Sequence, residues 1–194
     1  MFDTFCNELQ KKSLKNVAQE WVIDRTPYIF EEKQASYVQW KSELSNLINV
    51  DGKAISIIGS SCLGFSLNPS KGFRVFNEDS DIDIAIISRH HFELAWHTIR
   101  NIGTEMYSLN QKQRQSLEDH RKRLIYWGTF DTKSLLTKLP FGKQWFEAFS
   151  KMSEIFPTEG REINARIYRD FESLTEYQTA NLAKLRDKIL EDKN

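Results

Sequence analysis

Cysteine, net charge and long apolar runs are all scarce in this chain, and each scarcity excludes something. Its 194 residues include two cysteines, Cys6 and Cys62. They are too few and too poorly placed for a disulfide framework, which fits a reducing compartment and a cytoplasmic location. Lys plus Arg equals Asp plus Glu at 27 each. A chain with no formal net charge does not coat itself in nucleic acid, because non-specific binding is mostly electrostatic; a local basic patch remains compatible. No apolar run nears the roughly 20 residues of a membrane-spanning helix. Met1 to Lys12 also lacks the basic-then-apolar layout of a secretion signal. No membrane partner is expected. Four prolines and eight glycines punctuate a sequence with no internal repeat or low-complexity segment. Hydrophobic residues, by contrast, make up 40% and aromatics 12%, enough to pack a core.

The pattern along the chain predicts an α+β fold, a small mixed sheet flanked by helices. Residues 1–22 and about 27–49 read as helices, the second opened by Thr26 as N-cap and Pro27 at the first helical position. Together, residues 1–50 read as an N-terminal helical extension to a domain spanning 51–194. Ala54 to Ser61, AISIIGSS, switches to a short β-branched strand that stops at a Gly-Ser turn, followed by a short helix from Ser61 to Leu67. Asp81 to Ser88, DIDIAIIS, is a second strand. Its period of two sends Ile82, Ile84 and Ile86 to one face and Asp81, Asp83 and Ala85 to the other. A helix from Arg89 to Asn101, capped by Ser88, comes next, then helices over 111–126 and 132–155. Glu162 to Phe171 is the third strand, and Ser173 with Glu176 is a capping box opening a last helix from Leu174 to about Glu191.

The chemistry concentrates between Gly59 and Ile87. Two carboxylates on one face of a strand need donors or a cation, since an isolated buried carboxylate is costly. Asp81 and Asp83 can hold one divalent cation, Mg²⁺ or Mn²⁺, which prefers oxygen ligands and tolerates one or two carboxylates plus phosphate. The Gly59-Ser60 turn offers backbone N–H groups and a hydroxyl to a phosphate. The plain alternative is a pair of aspartates capping exposed backbone donors at the start of a strand.

Gly-Ser at a strand end, followed by S-D-I-D-I-A-I-I, resembles the signature of the DNA polymerase beta-like nucleotidyltransferase superfamily. The close match covers about 30 residues, with strand order extending it over about half the chain. The resemblance implies that Gly59 and Ser60 contact a nucleoside triphosphate and that Asp81 and Asp83 bind the metal. The superfamily's third carboxylate sits on a later strand in an apolar-Asp-apolar setting, often followed by Arg. Here that register reads Ile163-Asn164-Ala165-Arg166, so Asn164 fills the third corner and Arg166 is a nucleotide-binding candidate. An amide can ligate through its carbonyl oxygen but cannot accept an acceptor's proton, a loss of about 10²–10⁴ in rate. Glu162 shares the strand face and is an alternative corner. The loop from Ser61 to Ser80 is longer than in minimal members, and its Lys71 and Arg74 either reach the triphosphate or face water.

The implied activity is transfer of a nucleoside monophosphate from a nucleoside triphosphate to a protein, RNA or small-molecule acceptor. The competing expectation is a weakened or inactive module that binds nucleotide or a partner protein, for instance within a toxin–antitoxin or defence operon. Blander readings apply elsewhere. His90 and His91 are expected on the surface, and Gln111 to Leu124, with five Lys or Arg, reads as a solvated helix face or an RNA contact. Cys62 is expected buried, and Tyr168 or a tryptophan is a candidate for stacking on a base.

Overall fold

The computed structural model describes residues 1–68 and 72–191. Four strands form one mixed sheet in the order β1-β2-β4-β3: β1 (Ile55–Ile58), β2 (Ile82–Ile87), β3 (Thr129–Asp131) and β4 (Ile163–Tyr168). The central β2 and β4 run parallel, and each edge strand is antiparallel to its neighbour. The small mixed sheet flanked by helices is therefore present, with one more strand than the sequence pattern shows.

The alternation in β2 decides how the sheet is covered. Ile82, Ile84 and Ile86 sit opposite Ile163, Ala165 and Ile167, making one fully apolar face. That face is buried beneath α3 (Gln34–Ile48), α5 (Arg89–Arg100) and α7 (Gly142–Met152), whose Trp40, Leu44, Ile99 and Trp145 join the same core. On the opposite face, Asp83 pairs with Asn164, Ala85 with Arg166, and Ile87 with Tyr168. Its inner part is covered by Val22 and by Leu174 of α8 (Phe171–Glu191). The outer edge of β1 is closed by a side chain: the Ile57 N–H donates to the Tyr37 hydroxyl at 3.0 Å. An edge donor that would otherwise invite another strand is thereby satisfied.

Several element boundaries differ from the sequence expectation, each for a local reason. The first helix breaks into α1 (Phe2–Lys11) and α2 (Leu14–Val17), because the Ser13 side chain accepts from Asn16 N–H and starts a new helix. A wide turn, Ala18–Ile23, continues α2. Thr26 and Pro27 do not open α3. Pro27 is extended and precedes a single turn at Tyr28–Phe30, and Glu31 and Glu32 then adopt positive φ, which ends any continuous helix. The helix α4 (Gly59–Leu63) begins at the Gly-Ser pair itself and stops at Gly64. WGTFD carries β3, and the predicted helix over 132–155 starts only at Gly142. At the last helix, Asp170 is the cap, accepting from both the amide and hydroxyl of Ser173 at 2.7 and 2.6 Å. A carboxylate outcompetes a hydroxyl for those donors, so Ser173 becomes an inside residue. Burial raises the Asp170 pKa, but these bonds and Arg169 outweigh it and hold it down to about 2.

The N-terminal helices pack on the far end of α8: Phe5, Leu9, Val17 and Ala18 meet Leu182 and Leu185, with Leu63 and Phe65 between. α6 (Gln111–Asp119) opens with a capping box of Asn110 and Gln113. The basic residues after it are paired along their own helix, Arg121 and Lys122 with Glu118 and Arg123 with Asp119. No helix among the described residues is long and apolar enough to cross a membrane.

Candidate active site

β1 ends, and β2 and β4 begin, at the same end of the sheet. Gly59, Asp81, Asp83 and Asn164 meet there, lining a cleft of about 610 Å³. Asp83 lies between Ile58 on β1 and Asn164 on β4 in the strand register. Gly59 has a φ of +69°, and a β-carbon on it would lie 2.9 Å from Asp83 Oδ2. Only glycine both adopts that backbone and leaves room for the carboxylate. Ser60, next along, lines the cleft, whereas Ser61 turns inward and donates to the Ile58 carbonyl. The helix that starts here has five residues, so it offers a few free N–H groups and little dipole.

The two aspartates differ in their partners. Asp81 Oδ2 accepts from Lys133 Nζ at 3.1 Å and from Asn164 Nδ2 at 3.2 Å. The Asp83 carboxylate accepts no hydrogen bond and makes no ion pair among the described residues. Burial, reinforced by the charge of Asp81, pushes its pKa up to about 6 against the pull of Arg166 and Lys133. A carboxylate desolvated without a donor is one whose lone pairs are free for a cation. With Asp81 and Asn164 lining the same cleft, the oxygen ligands these residues can offer are hard ones, which fits Mg²⁺ or Mn²⁺. No group of three or more His, Cys, Asp or Glu that could hold a metal ion converges among the described residues.

Asn164 lies directly across from Asp83 in the strand register. Glu162 does not share the cleft. It points outward, 3.9 Å from Lys133, with its side chain 65% exposed. Arg166 lines the cleft, but its guanidinium is already bound to Asp131 and to the Tyr177 hydroxyl, each at 2.5 Å, and lies over the Tyr177 ring. Burial would weaken its charge, yet Tyr168, Asp131, Tyr177 and Asp83 outweigh that and raise its pKa. Arg74 is exposed and does not line the cleft. Lys71 lies outside the described residues. Tyr168 is fully buried, its hydroxyl accepting from Gln178, so it cannot stack on a base. His91 is half-buried against Phe141 and Trp145 rather than on the surface, and burial lowers its pKa to about 4. Cys62 is fully buried, as expected, its thiol pushed up to about 12 by burial.

Four participants were not legible in the sequence. Lys133 follows β3, a strand too short to show alternation. Asp131 pairs with Arg166 across β3 and β4. Its backbone N–H donates to Nε2 of the fully buried His120 at 3.0 Å. Arg161 clasps the carbonyls of Asn77, Glu78 and Ser80 at 2.6, 3.1 and 2.9 Å, fixing the approach to β2 and hence Asp81. Finally, α8 forms the opposite wall: Tyr177, Asn181, Lys184 and Lys188 recur at helical spacing and bring two ammonium groups to the cleft.

Comparison with protein-family models, with curated proteins and with solved structures gives no match.

Proposed function

We propose that this chain is a metal-dependent nucleotidyltransferase that moves a nucleoside monophosphate from a nucleoside triphosphate to a protein, RNA or small-molecule acceptor. The observation that carries the reading is the contact of Gly59 with Asp83, the point at which the turn meets the strand face. Asp81 and Asp83 would hold Mg²⁺ or Mn²⁺, with Asn164 turning its carbonyl oxygen inward. The cation, when bound, supplies positive charge to the α-phosphate. Gly59 and Ser60 bind phosphate oxygens through the turn's free N–H groups and the Ser60 hydroxyl. Lys184 and Lys188 face the same space from α8 and add charge for the outer phosphates. In the reaction the acceptor oxygen bonds to the α-phosphorus while the bond to pyrophosphate breaks, and pyrophosphate leaves with the electron pair. The acceptor's proton goes to solvent, since Asn164 cannot take it.

One observation favours a second reading, a nucleotide-binding module with little or no catalysis. The Asn164 amide donates to Asp81, so the third corner is committed to an internal bond and carries no base. The experiment that separates the two is transfer of α-³²P label from each ribonucleotide, with Mg²⁺ or Mn²⁺, into acceptors from cell extract. Asp81→Ala/Asp83→Ala runs beside the wild type. Label that depends on the aspartates establishes transfer, and nuclease or protease sensitivity names the acceptor. Nucleotide binding without such label favours the module.

A further inference from the structure

Lys133 occupies a place that the aspartates alone do not explain. Its ammonium sits 3.1 Å from Asp81 and 3.9 Å from Glu162. The backbone that carries it is pinned on both sides. Thr132 donates through its N–H and its hydroxyl to the Ala165 carbonyl at 3.1 and 2.8 Å, and the Lys133 N–H donates to Asp131 Oδ1 at 3.0 Å. Asp131 is itself tied to Arg166. The fixed backbone sets where the Lys133 side chain starts and so delivers its ammonium to Asp81, in a half-exposed pair of modest energy.

The donor pattern then limits what the aspartates can hold. Two divalent cations clamp attacking and leaving oxygens in many phosphoryl-transfer sites. Here Asp83 has its oxygens free, while Asp81 is already occupied on Oδ2 by both Lys133 and Asn164, so an ammonium stands on the carboxylate that a second ion would need. Lys184 and Lys188 line the same cleft from α8.

We propose that Lys133 is a built-in cation that takes the place of one of two metal ions, so that this chain binds a single divalent cation, centred on Asp83. The inference rests on the nucleotidyltransferase reading but concerns stoichiometry rather than turnover. Its ammonium, held against Asp81 and near Glu162, serves as a counter-ion.

The test is binding of Mn²⁺ by electron paramagnetic resonance, alone and with α,β-methylene-ATP, to the full chain and to Lys133→Met, Lys133→Arg and Asp83→Asn. Thermal melting of each variant checks folding, which the half-exposed Lys133 side chain makes a mild demand. The expected result is one Mn²⁺ per wild-type chain, lost in Asp83→Asn. Lys133→Met should bind a second ion or hold the first about ten-fold more tightly, with Lys133→Arg like wild type. Two ions in the wild type, or a Lys133→Met variant indistinguishable from it, overturns the proposal and leaves the nucleotidyltransferase reading intact. No Mn²⁺ on any protein, with or without the analogue, removes both.

Discussion

Gly59 and Asp83 are fitted to one another: the glycine's missing β-carbon is the space that the Asp83 carboxylate occupies, 2.9 Å from where that carbon would lie. Gly59→Ala should therefore act twice. A positive φ costs an L-residue roughly 1–2 kcal/mol, and the methyl must push Asp83 or the α4 turn aside. Gly160, with a φ of +71° and nothing within 4 Å of its would-be β-carbon, supplies the control. Gly160→Ala should lower the melting temperature by the backbone term alone. Gly59→Ala should lower it further and weaken Mn²⁺ binding at least ten-fold. Equal melting shifts with unchanged Mn²⁺ affinity would show that the contact between turn and strand does not matter.

Asp83 makes a pH prediction whose sign follows from its environment. Its folded pKa, near 6, lies above the ordinary carboxylate value of 3.8. The unfolded chain therefore ionises first, and stability falls as pH rises from about 4 through 6. His91 pulls the other way. Its folded pKa near 4 lies below 6.5, so its contribution is present above 6.5 and lost as pH falls towards 4. The buried His120, also lowered by desolvation, acts in the same sense as His91. Comparing wild type with Asp83→Asn isolates the carboxylate. In chelator at pH 7 the variant should be more stable by roughly 1–2 kcal/mol, discounted for partial solvent contact. That advantage should vanish near pH 4, where Asp83 is protonated in the wild type. It should also shrink when Mn²⁺ is added to the wild type. Chemical denaturation at three pH values measures all of it; an Asp83→Asn variant less stable at pH 7 than wild type contradicts the assignment.

The parts of this fold that were legible from sequence are those where one residue determines its own surroundings. Ile82, Ile84 and Ile86 alternate with Asp81, Asp83 and Ala85, and that period alone placed both faces of β2 correctly. β4 alternates over six residues, which shows Asn164 and Arg166 on one face; their pairing with Asp83 and Ala85 comes from the strand register. What was hidden depends on competition between neighbours. Ser173 has a good N-cap's chemistry, but Asp170 three residues earlier accepts more strongly and shifts the helix start. β3 has three residues, too few for a period, so Lys133 and Asp131 had no strand to be read from. Tyr177, Lys184 and Lys188 look like any polar helix face, and only the packing of α8 on the N-terminal helices turns them towards the aspartates.

Asn164 offers a direct change of function. Asn164→Asp removes an amide that donates to Asp81 at 3.2 Å and sets a third carboxylate beside two others. In chelator the variant should lose about 1–2 kcal/mol of stability, the cost of an unmade bond and added like-charge repulsion. Mn²⁺ should restore it and bind more tightly than to wild type. If transfer activity is merely weakened in this chain, the variant should also raise it, by up to the 10²–10⁴ that a positioned base contributes. Unchanged Mn²⁺ affinity would place Asn164 outside the coordination sphere.

Arg166 separates a structural from a ligand role, because the pair it forms can be removed from either side. Its guanidinium and Asp131 meet with side-chain exposures of 24% and 32%, so neither charge is well solvated. Arg166→Met alone strands Asp131 and should cost about 2–3 kcal/mol, below the 3–5 of a fully buried pair. Asp131→Asn/Arg166→Met removes both charges while the Asn can still accept the Lys133 N–H, and should recover most of that loss. Nucleotide affinity decides what the arginine is for. An arginine that only pins β3 to β4, and through it the loop carrying Lys133, leaves the double variant binding α,β-methylene-ATP with Mn²⁺ as wild type does. An arginine that also touches phosphate leaves the double variant stable but about ten-fold or more weaker for the nucleotide, since a charge-assisted bond is worth roughly 1.5–3 kcal/mol. The bonds to Asp131 and Tyr177 take one N–H from each terminal nitrogen, and the Tyr177 ring covers a face of the guanidinium, which favours the first outcome.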